Sequence, residues 1–425
     1  MKIFIFIFVS FTLFPQWNQF RGGELSGVAK GHYTWTNRWI CQIEKGNSSP
    51  IVYGDYVYVT TTIIDTNSSS NSIDNPYCKY INETTLSLVS INRHTGKIVW
   101  NKQLWKGIPT EPFHPKNNMA SATPMTDGER IYAYFNNIGL FACNNNGDVL
   151  WKYQVESSKV MWDWGKSSSP YLYKDKIILV DDNQKQSYIV LLNAKTGEII
   201  WKKNRTEKIG GWSIPVVWEN SIRTEIIIPA CTGFVKNIYK VRSYDFNGKE
   251  LWSMGDLSPS MVAQPIVNKD ILYIASGHTT QKYRPMSAIK AGASGDITLK
   301  SNENKNNYVV WKNTDSTYVP TPVIFNNKIY SLYDNGKFNC LDATTGKEIY
   351  AIKFNQPFTA SPVIFNNKIM CVSEQGKTFI VDINDRKIQT NYMKDVCLAT
   401  PALAYNNIFI RGINKIYCIG GKDEE

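Results

Sequence analysis

The sequence predicts an all-β chain folded as an eight-bladed β-propeller of four-stranded antiparallel blades, with the last blade closed by a strand from the N-terminus. Three observations carry this reading. A Pro followed by two short apolar runs recurs eight times. A Gly-to-aromatic spacing recurs between those prolines. The chain is also too long, at 425 residues, for one ordinary core, since single cores stop growing at roughly 250–300 residues. A repeat architecture escapes that limit by setting small cores side by side.

The opening prolines are Pro50, Pro124, Pro170, Pro215, Pro265, Pro322, Pro362 and Pro401. Most follow Ser or Thr. SPIVYGDYVYVTTT, TPVIFNNKIYSLYD and SPVIFNNKIMCVSE show the unit: an apolar strand, a polar turn and a second apolar strand. Gly-Asp and Asn-Asn at the turns accept the positive φ of tight hairpins. Each unit closes with an alternating strand, a Gly turn and a strand whose Trp lies four residues after the Gly. Gly96 to Trp100, Gly147 to Trp151, Gly197 to Trp201 and Gly248 to Trp252 keep the offset, and Gly346 keeps it with Tyr350. Asn92, Asn193, Asp245 and Asp342 precede these glycines, placed to bond backbone amides in the turn. Pro opens the first strand, where no ladder donor is needed.

Successive prolines lie 74, 46, 45, 50, 57, 40 and 39 residues apart. A base unit of about 40 residues is the size of a propeller blade. The longer units carry insertions at 67–80, 105–119 and 278–307. No segment has a helical period of useful length, and a pair of β-sandwiches would not explain the Pro-to-Trp repeat. After Pro401 only about three strands remain. Trp39 stands to Pro50 as the other tryptophans stand to their next Pro, so 38–43 is expected to complete the last blade and remove two free sheet edges.

Lys2 followed by the apolar run 3–14 matches a secretory signal. The expected division is a signal over 1–15 and one propeller domain over 16–425, monomeric, periplasmic or secreted, with no membrane-spanning segment in the mature chain. The formal charge of +11 is spread among acidic residues without a basic run, which argues against a nucleic-acid groove. Of the eight cysteines, Cys143, Cys340 and Cys418 sit in apolar strand segments and read as small buried hydrophobes. One disulfide among the eight remains open, and redox chemistry is not expected.

The repeated [DN]-x-x-TG-[KE]-x-x-W pattern resembles the repeat of the pyrroloquinoline-quinone (PQQ)-like propellers of the bacterial cell envelope. More distantly it resembles the propeller lipoprotein of outer-membrane assembly and the quinoprotein dehydrogenases. WNQFRG at 17–22, SGDITL at 294–299, the block 318–347 and LATPALAYNNIFIRG followed by IYCIGG carry the resemblance from 17 to 420. The dehydrogenases imply PQQ and Ca²⁺. Their chemistry needs hard oxygen ligands, a carboxylate base and a platform over the ring. The platform's adjacent cysteine pair is missing, as is a CxxCH haem site, and no ligand set can be matched. No cofactor, metal site or catalytic residue is therefore expected.

His32, His94, His114 and His278 are scattered, with no metal-pair spacing. Asp181-Asp182 reads as a solvated loop. The residues just before each Pro should gather at one end of the central channel, and they include Trp162, Asp163, Trp164, Lys166, Trp212, Gln264, Tyr318 and Phe358. Aromatics interleaved with polar groups suit a sugar or peptide. The competing expectation is that Trp162 and Trp164 only plug the channel. Tyr283 and Arg284 are expected to cover the same or an adjacent opening. The functional expectation is a non-catalytic envelope protein that binds a protein or glycan partner. The alternative is a PQQ-dependent or carbohydrate-active enzyme.

Overall fold

The computed structural model describes residues 16–23, 26–64, 70–71, 76–80, 83–230 and 240–421. The segment assigned to the secretory signal, 1–15, lies outside the described residues, as does Cys231. Eight sheets follow one another as propeller blades, each pairing its strands in chain order except for the N-terminal strand that joins the last. Blade 1 comprises Ile51–Tyr53, Tyr56–Ile64, Thr84–Asn92 and Ile98–Gly107. Residues 105–107, read from sequence as loop, extend its fourth strand. Helix is confined, among the described residues, to one 3-10 turn at Met161–Asp163.

Blade 8 joins Ala402–Ala404, Asn407–Arg411 and Lys415–Gly420 to the N-terminal strand Asn37–Gln42. Trp39 lies opposite Cys418 and Cys41 opposite Ile416. The predicted closure is the observed one. Blade 4 differs from expectation by a fifth strand: Gly295–Asp296, from the long insertion, lies parallel to Glu250–Met254.

The repeat landmarks hold neighbouring blades together. Trp100 Nε1 donates to the carbonyl of Asn145 at 3.0 Å, Trp151 to Ala194 at 3.2 Å, Trp201 to Phe246 at 2.9 Å and Trp311 to Ala343 at 3.0 Å. Each indole lies on the next blade's turn glycine. A Cβ on Gly197 (φ 77°) would stand 2.6 Å from Trp151, so the glycine serves both the positive φ and the close approach. Trp39 does the same across the closure, donating to Arg93 at 2.8 Å over Gly96. Trp252 departs from the pattern. The added strand buries it, and it donates to Glu225 Oε2 at 2.7 Å.

The Ser or Thr before five of the prolines has a matching role at the inner edge. Backbone N–H groups of Ser49, Thr123, Gln264, Thr321 and Ser361 donate to the hydroxyls of Thr123, Ser169, Thr321, Ser361 and Thr400 at 2.9–3.2 Å. The hydroxyl of one blade thus satisfies an amide of the blade before it, around the channel.

The N-terminal segment crosses the channel below this ring. Trp17 pairs with Val52 of blade 1, and the Gln19 side chain accepts from Leu172 N in blade 3 at 3.1 Å. Arg21 Nη2 donates to Pro322 O in blade 6 at 2.7 Å, and Ala29 N to Ile364 O in blade 7 at 2.8 Å. The WNQFRG block is therefore a stopper spanning the sheets. Burial lowers the Arg21 guanidinium to about 9.

All seven described cysteines are buried, and no disulfide joins any two of them. No helix among the described residues is long and apolar enough to cross a membrane.

Candidate functional site

Each blade runs down from its Pro, up, down and up again. The loops before each Pro and the loops joining second to third strands therefore emerge on the same face. Together they build a cavity of about 650 Å³ at the channel mouth, within the usual size of ligand sites. It continues into a narrower chamber of about 140 Å³ along the axis, with Trp212, Val262 and Val319 lining both. Phe20 of the N-terminal segment lines the lower chamber, so the channel is a blind well rather than a pore.

One wall of the mouth is aromatic. The Trp164 ring lies 5.6 Å from Trp212 and 6.3 Å from His278, nearly parallel to the latter. His278 meets Tyr318 edge-on at 4.8 Å, and Phe358 completes the lining. The lining also carries Asp334, Glu374, His114 and Lys116. Lys116 Nζ pairs with Glu374 Oε2 at 2.8 Å, and Thr359 Oγ1 donates to its Oε1 at 2.7 Å. Asp334 Oδ1 is buried without a hydrogen-bond partner, and burial raises its pKa above the usual aspartate value. Burial lowers the pKa of His114 and of His278, and raises Tyr318 to about 12.

The aromatic wall is held from behind. Trp212 Nε1 donates to Gly165 O at 2.7 Å, and Asn117 Nδ2 to Trp164 O at 3.0 Å. Trp162 and Asp163 both have positive φ, 59° and 56°, a conformation that costs a non-glycine residue about 1–3 kcal/mol and gathers at functional sites. Trp162 packs at a tilt against Trp164, ring centroids 4.7 Å apart, instead of lining the cavity. Asp163 is buried 3.9 Å from Lys159. Lys166 is buried against Asp181 at 2.6 Å and Ser158 at 2.9 Å.

Asp181 and Asp182 are thus not a solvated loop. Both are buried, Asp182 against Arg205 at 3.2 Å, and a Cβ on Gly211 would collide with the Asp182 carboxylate. The paired acids brace the loops bearing Trp164 and Trp212. Tyr283 and Arg284 do not reach the mouth, since Tyr283 bonds Asp256 at 3.1 Å and Arg284 bonds Asp315 at 3.0 Å.

Of the residues singled out from sequence, Trp164, Trp212, Tyr318 and Phe358 line the mouth, and Gln264 lines the lower chamber. Trp162, Asp163 and Lys166 stand behind it. Sequence reasoning missed His114, Lys116, His278, Asp334 and Glu374. Counting strand parity from each Pro would have put Asp334 and Glu374, just past second strands, on this face. The two histidines read as scattered, His114 and His278, both contact Trp164.

Among the described residues no three of His, Cys, Asp and Glu gather closely enough to hold a metal ion. Glu374 is already engaged by Lys116 and Thr359. These groups do not match the oxygen cage of a Ca²⁺-bound quinone.

Comparison with curated protein sequences returns no significant match. Solved structures do match. The BamB of Moraxella catarrhalis superposes with a TM-score of 0.56 at 11% identity, over 85% of this chain and 98% of that one. The quinohemoprotein alcohol dehydrogenase of Comamonas testosteroni gives 0.67 at 10% identity, over 97% and 81%. The computationally designed Ika8 protein gives 0.61 at 11%, over 89% and 98%. At such identity these likenesses speak for the fold. The family model described as outer membrane protein assembly factor BamB matches three overlapping stretches, 22–220, 87–305 and 239–391. On that coverage the chain belongs to the BamB-like family of PQQ-repeat propellers.

Proposed function

We propose that this protein is a non-catalytic binding protein of the cell envelope that takes a glycan at the channel mouth. The observation that carries the reading is the blind well itself, lined by Trp164, Trp212 and Tyr318 together with the carboxylates of Asp334 and Glu374. Sugar rings present C–H faces that pack on aromatic planes, while their hydroxyls pair with carboxylates and amides. Asp334 Oδ1, buried and without a partner, is a ready acceptor.

Titration of the purified protein with neutral oligosaccharides, followed by tryptophan fluorescence and calorimetry, tests it. Trp164→Ala and Trp212→Ala are expected to weaken binding by about tenfold or more, each tenfold being about 1.4 kcal/mol. Binding indifferent to both substitutions would refute the assignment to the mouth.

A second reading, docking of a protein segment on the rim, is favoured by exposed apolar pairs on three successive outer strands. These are Ile98 with Val99, Val149 with Leu150 and Ile199 with Ile200. Blade 4 already accepts an added strand of its own chain along the same edge. Val99→Lys, Leu150→Lys and Ile200→Lys together should abolish crosslinking to envelope proteins and spare oligosaccharide binding.

A further inference from the structure

Of the eight positions immediately before the opening prolines, six carry Ser or Thr, and Ile214 and Gln264 break the series. Gln264 is 2% exposed, lines the lower chamber, and both its Oε1 and Nε2 lack a hydrogen-bond partner. Its backbone amide is satisfied by Thr321 at 3.0 Å, so the open valences belong to the side chain alone. A buried donor and acceptor left without partners forfeit their hydration with nothing in return. A long amide is also an extravagant choice where Ser or Thr serves at six other blades. The side chain is free for something that enters the well.

The lower chamber states what can enter. Its lining carries nine Ser and Thr side chains together with Asn47 and Gln264, and no charged side chain. At about 140 Å³ it has the capacity of a cavity that takes one six-membered ring, an engineered void of about 150 Å³ being filled by benzene. Phe20 below stops anything longer. A peptide terminus carries an ammonium or carboxylate that demands a paired charge when buried. A saccharide terminus is neutral and offers adjacent hydroxyls. A carboxamide, with one acceptor and one donor side by side, pairs with two such hydroxyls at once.

Resting on the glycan reading above, we propose that the well holds a neutral saccharide chain by its end. The terminal ring occupies the lower chamber with two neighbouring hydroxyls on Gln264, and the following rings lie along Trp212, Trp164 and Tyr318. Gln264 is then the specificity-determining residue, and the protein reads chain ends rather than chain interiors.

The test uses the full chain with maltohexaose, cellohexaose, mannohexaose and chitohexaose, each also capped by methylation of the terminal hydroxyls at one end or the other. For the sugar that binds, capping one particular end should weaken binding by about tenfold or more. Gln264→Leu should cost the uncapped sugar about the same factor and leave the capped one unchanged. Gln264→Asn, which keeps the amide but shortens its reach, checks that any loss is not misfolding, since its far-ultraviolet spectrum and thermal midpoint should match those of the parent. Binding that depends on Trp164 but tolerates both caps and Gln264→Leu would overturn end recognition and leave the glycan reading standing. Failure of every hexasaccharide, or binding of hexaglycine in their place, would overturn both.

Discussion

Removing the Trp39 indole tests the closure of the ring directly. Trp39 is half-buried, lies over Gly96 of blade 1, stands 6.0 Å from the Phe409 ring and donates to Arg93 O at 2.8 Å. Trp→Ala in a full core costs about 3–5 kcal/mol, so half of that is about 2. The lost hydrogen bond adds about 1 kcal/mol. Trp39→Ala should therefore loosen the blade 8 to blade 1 junction by about 3 kcal/mol. A chain of this length gains unfolding entropy so steeply that 1 kcal/mol moves the melting point by only about 1 °C. Hydrogen exchange is the sharper assay, because opening of the junction is local. Amides of Asn37–Gln42 and of its partner Lys415–Gly420 should exchange about 100-fold faster. Trp151→Ala, the same substitution between blades 2 and 3, serves as the internal standard. If it speeds exchange at its own junction while Trp39→Ala changes Asn37–Gln42 by less than about threefold, closure by Trp39 is refuted.

Lys166→Met strands Asp181 as a buried anion and should destabilise the fold by about 3–5 kcal/mol in chemical denaturation, with much of the loss recovered by adding Asp181→Leu. Buried Tyr58, Tyr244 and Tyr273 are each pushed up to about 12 by burial. The unfolded chain ionises them near the ordinary value of about 10 while the fold keeps them protonated, so their contribution is intact below that pH and is lost as pH rises toward 12. Tyrosinate absorbance appearing together with unfolding, rather than ahead of it, checks this. At the mouth, burial lowers the pKa of both histidines and raises that of Asp334. Oligosaccharide affinity should then be flat from about pH 8 to about pH 7 and fall only on further acidification, which stepped titrations would show.

The repeat was legible because each landmark performs the same local task in most of the blades. Ser or Thr before Pro satisfies the neighbouring amide, Asn92 and its equivalents accept two or more turn amides, and the Trp rides on the next glycine. Such tasks leave a spacing in the chain. The mouth leaves none. Its residues differ from blade to blade, and the loops before the prolines supply only part of it. Asp334 and Glu374 sit on the other set of loops, while His114 and His278 come from insertions that no periodicity constrains. The side chains of Asp181 and Asp182 were misjudged for a related reason. Their cations, Lys166 and Arg205, are separated from them in sequence and meet them only in the assembled fold.

The N-terminal stretch from Trp17 to Gln42 acts as both stopper and clasp, and this sets an order of events. Its partners lie at Val52, Leu172, Pro322, Ile364 and finally Lys415–Gly420. A segment that precedes all these partners in the sequence therefore waits for residues 415–420 before its last strand can pair, and bringing together parts of the chain so far apart in sequence is entropically slow. The well with its floor exists only after that step. Ligand binding at the lower chamber would then report completed closure, so that an incompletely folded ring is blind to its ligand.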